Sequence, residues 1–303
     1  MIVRPRPHWL RMLFVRRGSI VTKILTQQTF IFLLSCGVVF FKSDFLGYHI
    51  NLTSAPFSLM GVALAIFLGF RINASYDRYW EARKLWGGVL IDTRNLARQA
   101  LTFPVQTTEI RTFILGLAAF AASMRNQLRG LDSRNGLESL LPKDVLDQVC
   151  QKSNVPVALL LWQAEGTRKM REVDGLDPVL AQRMEENLDN LSRSWGGCER
   201  IANTPLPFTY TVILHRSAYL YCILLPFGLE ETVGIMMPLV VAFVSYTFFT
   251  LEEFSHEIEE PFGMQGNDLP LDALVIGIES SLKEMLGEPV PALPLPDKNF
   301  VLS

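Results

Sequence analysis

The chain has 303 residues, of which 49% are hydrophobic, 11% aromatic and 19% charged, with a formal net charge of −2. This composition excludes a disordered chain, a collagen-like fibre and a disulfide-dense secreted scaffold, and so neutral a balance argues against a nucleic-acid partner. A soluble chain usually carries about 25% charged residues, so apolar surface has to be accounted for.

The first 23 residues hold Arg4, Arg6, Arg11, Arg16, Arg17 and Lys23 and no acid. An uncharged run follows from Ile24 to Phe41, about the length a helix needs to cross a hydrocarbon core of roughly 30 Å. It lacks a small-residue cleavage site and is followed at once by a second run, so it is not read as a signal peptide. A short linker with Lys42 and Asp44 leads to that run, Phe45 to Phe70. There Gly61, Ala63, Ala65 and Gly69 are small enough for close helix packing, while Val62, Ile66 and Phe70 recur at four-residue steps on one helical face. In a monomer that stripe packs against the first span. Around a symmetry axis it becomes stacked apolar rings, a constriction that gates by dewetting. Periodicity does not choose between the two.

From Arg71 to Pro207 charges recur every few positions and apolar residues fall at helical spacing, as in Leu85, Val89 and Leu96 or Phe113, Leu117 and Phe120. The uncharged stretch Thr112 to Met124 is too short to span and reads as a buried helix. Breakers from Pro104 to Pro178 divide the section into several helices, and no strand-like alternation is sustained. A third apolar run, Phe208 to Leu229, carries His215 and Arg216, which have to face protein or water. After Glu230 and Glu231 comes a fourth, Thr232 to Leu251, with Pro238 inside it. Glu252, Glu253, Glu257, Glu259 and Glu260 then cluster around His256, and a proline-rich tail beginning near Pro289 reads as extended.

The expected fold is therefore all-α: a cytoplasmic segment (1–23), two transmembrane helices (24–70), a cytoplasmic helical domain (71–207), two further transmembrane helices (208–251) and C-terminal cytoplasmic helices with a tail (252–303). The basic flanks place both termini in the cytoplasm. The alternative is a soluble helical protein with unusually apolar buried helices.

No GxSxG, GxxxxGK[ST] or HExxH motif is present, so no enzyme chemistry is indicated. Cys36, Cys150, Cys198 and Cys222 have no metal-ligand spacing and read as reduced apolar residues; no metal or cofactor is expected. The acidic cluster is read either as a solvated helix face or as a group that gathers cations at a pore mouth.

Several separated segments resemble one family. They are Arg17-Gly18-Ser19-Ile20, Phe67-Leu68-Gly69-Phe70-Arg71 with Tyr79-Trp80-Glu81-Ala82-Arg83, Cys198-Glu199-Arg200-Ile201 with Thr204-Pro205-Leu206-Pro207-Phe208, and Glu259-Glu260-Pro261-Phe262-Gly263 with Asn267-Asp268-Leu269-Pro270-Leu271-Asp272. Together they resemble the bacterial branch of the bestrophins, from about Arg4 to Gly287. The resemblance implies a homopentameric channel in the bacterial inner membrane, with four membrane helices per subunit and one central pore. It places the hydrophobic neck at Val62, Ile66 and Phe70 and a cytoplasmic aperture near Val179 or Leu180. Animal members follow the Pro-Phe-Gly motif with an acidic calcium clasp; here Met264, Gln265, Gly266 and Asn267 follow it and only Asp268 is acidic, which implies calcium independence. Characterised bacterial relatives favour monovalent cations and the acidic cluster leans the same way, so passive sodium conduction is the expectation. Chloride conduction, a secondary transporter and a membrane-anchored regulator are the alternatives.

Overall fold

The structure is a computed structural model, described here for all residues except 5–7, 14, 16–18, 42–43, 46–47, 50–52, 106–108 and 299, and without the side chains of 11, 13, 44–45 and 48–49. Arg6, Arg16, Arg17, Gly18 and Lys42, used above for orientation and resemblance, lie outside the described residues. The described chain forms two compact units.

The first unit comprises Pro5–Tyr79 and Pro205–Glu259. After a single turn, α1 (Trp9–Leu13), comes α2 (Val21–Phe40), which covers the first apolar run. The second run departs from expectation at its start: Asp44–Phe45 (β1) pairs antiparallel with Tyr48–His49 (β2), and helix α3 begins only at Ser54 and continues to Thr102. Absence of charge does not distinguish a strand pair from a helix. Pro56 sits in the first turn of α3, where its missing N–H costs no helical hydrogen bond. At 1.5 Å per residue α3 is about 74 Å long.

The third and fourth runs are α8 (Phe208–Val233) and α9 (Met237–Glu259), joined by a 3-10 turn at Gly234–Met236. They form one unbroken helical stretch in the chain, and the stretch folds back on itself. Gly234 has φ +59°, a conformation that glycine adopts without strain. From that point the paired residues separate symmetrically: Tyr221 meets Phe248 (5.4 Å between ring centroids), Tyr219 meets Phe249 (4.8 Å) and His215 meets Glu252 (2.5 Å). The two helices are therefore antiparallel. Pro238 falls in the first turn of α9 and interrupts nothing, which removes the one feature that suggested a broken transporter helix. Pro226 lies inside α8 and leaves the Cys222 carbonyl without its usual donor.

The core of this unit joins α2, α3, α8 and α9 through Ile31, Leu68, Leu214, Cys222, Val241 and Phe249. Small residues set the spacing: a Cβ on Gly228 would lie 2.3 Å from the Phe57 ring, and one on Gly61 2.7 Å from the Tyr221 hydroxyl, whereas Gly69 has open space around it. Polar groups inside the apolar runs bond across helices, with Gln28 Nε2 donating to the Ala242 carbonyl at 2.7 Å. Among the described residues three helical stretches are long and apolar enough to cross a membrane: Val21–Phe40, Ser54–Thr102 and the folded-back Phe208–Glu259.

The second unit comprises Met1–Arg4, Trp80–Thr204 and Glu260–Ser303. Its central segment begins nine residues later in the sequence than Arg71, and the unit draws in both chain ends. Its centre is α4 (Ile110–Leu128), whose residues 113–124 are all buried, so the short uncharged stretch is a core helix. Against it pack α6 (Val155–Glu172), α7 (Pro178–Asn203) and α10 (Leu271–Met285), with α5 (Lys143–Val149) against α6. The proline-rich tail is irregular yet tied down: Ile2 pairs with Val301, and Ala273 N donates to the Ser303 carbonyl at 2.8 Å.

Asp272, at the start of α10, accepts from Arg125 (3.0 Å) and Arg129 (2.7 Å) on α4, and both guanidinium groups are nearly buried. Asp272→Ala is expected to cost about 2–3 kcal/mol, less than breaking a fully buried pair because a third of the carboxylate reaches solvent. Arg134→Ala, which breaks an exposed pair with Asp147, is expected to leave stability nearly unchanged. Chemical unfolding of the two variants, followed side by side, measures the difference.

Candidate functional site

Helix α3 divides its faces unevenly. Leu64 and Leu68 point into the first unit's core at 5% and 1% exposure. Val62, Ile66 and Phe70, on the opposite side of the helix, are 60%, 52% and 61% exposed and form a continuous apolar line with Leu59. The stripe therefore does not pack on α2, and it lies free on the subunit. Asn73 and Asp77, also exposed, continue the same face beyond Phe70.

Where the apolar line ends, the chain turns abruptly polar and buried. Arg71 is 1% exposed, and its Nη2 donates to Glu259 Oε2 at 3.4 Å. The other carboxylate oxygen of Glu259 accepts from the Leu206 amide, and its backbone carbonyl accepts from Arg78 Nε at 3.2 Å. Ser75 and Ser255 share a buried hydrogen bond of 3.1 Å beside this pair.

The rest of the acidic cluster is engaged in the same manner. Glu253 and Glu257 face Lys23 Nζ at 3.1 and 3.7 Å, and Glu252 faces His215 Nδ1. Of the five glutamates only Glu260 is exposed. Four therefore hold α9 to α2, α3 and α8 rather than forming a solvated face. His215 rests against Tyr219 at 4.3 Å, while Arg216, next in sequence, is exposed. A polar cavity of about 310 Å³ lies beside these groups, bordered by Gln27, Arg71, His215, Glu252 and His256. Sequence reading identified the charges but not their partners; Gln27 and Gln28, polar inside an apolar run, were the available sign that the helices meet through side chains.

Val179 and Leu180 lie in the first turn of α7. Asp177 caps this turn, its Oδ1 accepting from the Val179 and Leu180 amides at 2.8 and 3.4 Å, and Pro178 follows as the first helical residue. Val179 is 67% exposed and Leu180 half-buried.

The loop after Pro261-Phe262-Gly263 folds around its one acid. Asp268 is 3% exposed, and its Oδ2 accepts from the Gln265 amide at 2.6 Å. A Cβ on Gly263 would fall 2.5 Å from the same oxygen, so the glycine makes room for the carboxylate. Arg129 donates to the Phe262 and Leu269 carbonyls on either side, at 3.3 Å each. Among the described residues no three His, Cys, Asp or Glu side chains gather as a metal site. Burial pushes the Cys198 thiol up to about 12, with Glu81 and Glu199 adding to the effect, so it is inert as a nucleophile.

Comparison with known proteins accords with this architecture. The family described as bacterial/fungal bestrophin protein matches residues 1–284. A voltage-dependent anion channel-forming protein of Ralstonia nicotianae is 44% identical, over 95% of this chain and 95% of its own length. The voltage-dependent anion channel-forming protein YneE of Escherichia coli is 42% identical over the whole of both chains. The crystal structure of a bacterial bestrophin homologue from Klebsiella pneumoniae matches with a TM-score of 0.84 and 40% identity, over 88% of this chain and 99% of that one. A variant of that homologue with one substitution matches with a TM-score of 0.85. The buried charge cluster, the free apolar face of α3 and the fold thus belong together, and the chain is a member of the bacterial/fungal bestrophin family.

Proposed function

We propose that this chain is one subunit of a homopentameric channel that conducts monovalent anions passively across the bacterial inner membrane, with no covalent chemistry. The observation that carries the reading is the free apolar line on α3. Side chains as large as Ile66 and Phe70 are left uncovered in a row at four-residue steps, on the side of the helix away from the buried Leu64 and Leu68. Around a five-fold axis, Val62, Ile66 and Phe70 become three successive rings that an ion crosses only when the neck widens or wets. Four spans per subunit (α2, the first part of α3, α8 and α9) place both chain ends in the cytoplasm, in keeping with the basic residues before α2. The exposed Val179, beside Leu180, is assigned to a second narrowing on the cytoplasmic side.

Anion conduction replaces the sequence-based leaning toward sodium. That leaning rested on the resemblance to the bacterial branch, with the acidic cluster in support, and four of the cluster's five carboxylates are taken up by Lys23, Arg71 and His215. The relatives named above are called anion channel-forming proteins. One feature favours the cation reading: Asp77 is exposed on the neck face, seven residues beyond Phe70, and five copies would ring the passage with negative charge.

Bilayer recording of the purified protein under a sodium chloride gradient decides between the ions. The reversal potential is expected near the chloride equilibrium potential, whereas a value near that of sodium, moved toward zero by Asp77→Asn, supports the cation reading. Replacing Val62, Ile66 and Phe70 together by Ala is expected to raise unitary conductance or open probability severalfold; an unchanged current removes these residues from the neck. With one carboxylate in the Pro-Phe-Gly loop, open probability is expected to be the same with and without micromolar calcium.

A further inference from the structure

In the second unit, between the start of α4 and the C-terminal half of α6, lies a cavity of about 300 Å³. The two helices approach closely here because residue 116 is glycine: a Cβ would lie 2.3 Å from the Trp162 ring and 2.4 Å from Gln163 Nε2. Gln163 is completely buried. Its Nε2 donates to the Phe113 carbonyl at 3.0 Å, while its Oε1 has no hydrogen-bond partner.

Asp174, just past the end of α6, is 3% exposed. Its backbone is fully used, the amide donating to the Met170 carbonyl and the carbonyl accepting from the Val105 amide, yet its Oδ1 also has no partner. Both side chains border the cavity. A buried carboxylate oxygen and a buried amide oxygen, each lacking a donor, are seldom left so in a folded protein.

Three properties of the cavity define what would satisfy them. The unfilled positions are acceptors, so the ligand must donate. The bordering charges are Glu109, Glu165 and Asp174 against Lys169, so the ligand is favoured if positive. Lys169 itself lies at the exposed mouth, 3.8 Å from Glu109, and is not available to Asp174 as an internal counter-ion there. Apart from Thr112 and Gly166, the remaining wall is Phe113, Trp162, Met170 and Val173, apolar and aromatic, which suits the hydrocarbon part of an organic cation and attracts its charge through the ring faces. A bare metal ion fits poorly, because the described residues hold no cluster of three ligating side chains. The volume is that of a small-molecule site at the lower end of the usual range.

We propose that this cavity binds a small organic ammonium ion, its N–H groups donating to Asp174 Oδ1 and Gln163 Oε1 and its hydrocarbon lying against Trp162 and Phe113. The site is separate from the neck and does not depend on which ion the channel passes.

Calorimetric titration of the full-length protein in lipid nanodiscs tests it, with 2-phenylethylamine, its neutral isostere 2-phenylethanol and N-acetyl-2-phenylethylamine as probes. The amine is expected to bind at one site per chain, and both neutral compounds about tenfold or more weaker, since each lacks the charge-assisted hydrogen bond. Asp174→Asn is expected to lose the amine by a similar factor while keeping its melting temperature, and Lys169→Ala to retain it. If Asp174→Asn does not fold, the three ligands on the unaltered protein still decide. No saturable amine binding up to about 10 mM, equal binding of the alcohol, or undiminished binding by folded Asp174→Asn overturns the proposal and leaves a cavity filled by water.

Discussion

The first unit depends on one carboxylate more than on any other single group. Glu259 stands at the last position of α9, and three residues from two segments reach it: Arg71 and Arg78 from α3, the first with its guanidinium on the carboxylate and the second with its Nε on the backbone carbonyl, and Leu206, before α8 begins, with a backbone amide. Lys23 at the start of α2 meets the same end of α9 two and six residues earlier, at Glu257 and Glu253. An apolar bundle in an apolar surround gains little from burying more hydrocarbon, so polar contacts and close backbone packing decide which helices associate. Here those contacts gather at one end, and the rest of the bundle is spaced by glycine against aromatic ring, as at Gly228 and Phe57.

This arrangement inverts the familiar distribution. Arg71 is among the largest fully buried side chains, whereas Leu59, Ile66, Phe70 and Phe243 are more than half exposed. Removing either partner of the Arg71–Glu259 pair would strand a charge without water, so its value lies in fixing geometry as much as in net stability. The composition has the same origin: the chain is greasy because one of its units exposes what the other buries. Residues 113–124 of α4 show the ordinary pattern, with aromatic and aliphatic side chains facing inward on every side.

Much of this was legible in the sequence. The charge-free runs each overlap a long apolar helix, but α3 and α9 continue past Phe70 and Leu251 into charged sequence, and Asp44–Phe45 pairs as a strand with Tyr48–His49, which hydropathy does not register. Pro178, read as a breaker, stands at the start of α7, where a capping Asp177 and a first-turn proline are local chemistry. The destination of each glutamate after Leu251 was not legible. A run of acids looks the same whether it meets water or Lys23, 230 residues and more away in the chain, and only tertiary packing separates the cases. The stripe at Val62, Ile66 and Phe70 was visible as a period, but that it is uncovered depends on tertiary packing, in which Leu64 and Leu68 take the core side of α3. The cavity beside Asp174 had no sequence sign at all, because it depends on a missing donor.

The pairing of the two chain ends carries a topological consequence. Met1 and Val3 exchange backbone hydrogen bonds with Leu302 and Phe300, so the beginning and the end of the chain lie on the same side of any membrane the protein inhabits. A path that starts and finishes on one side makes an even number of crossings. Three apolar stretches that each crossed once would break that parity; the turn at Gly234, about which α8 and α9 run antiparallel, supplies the fourth arm that restores it.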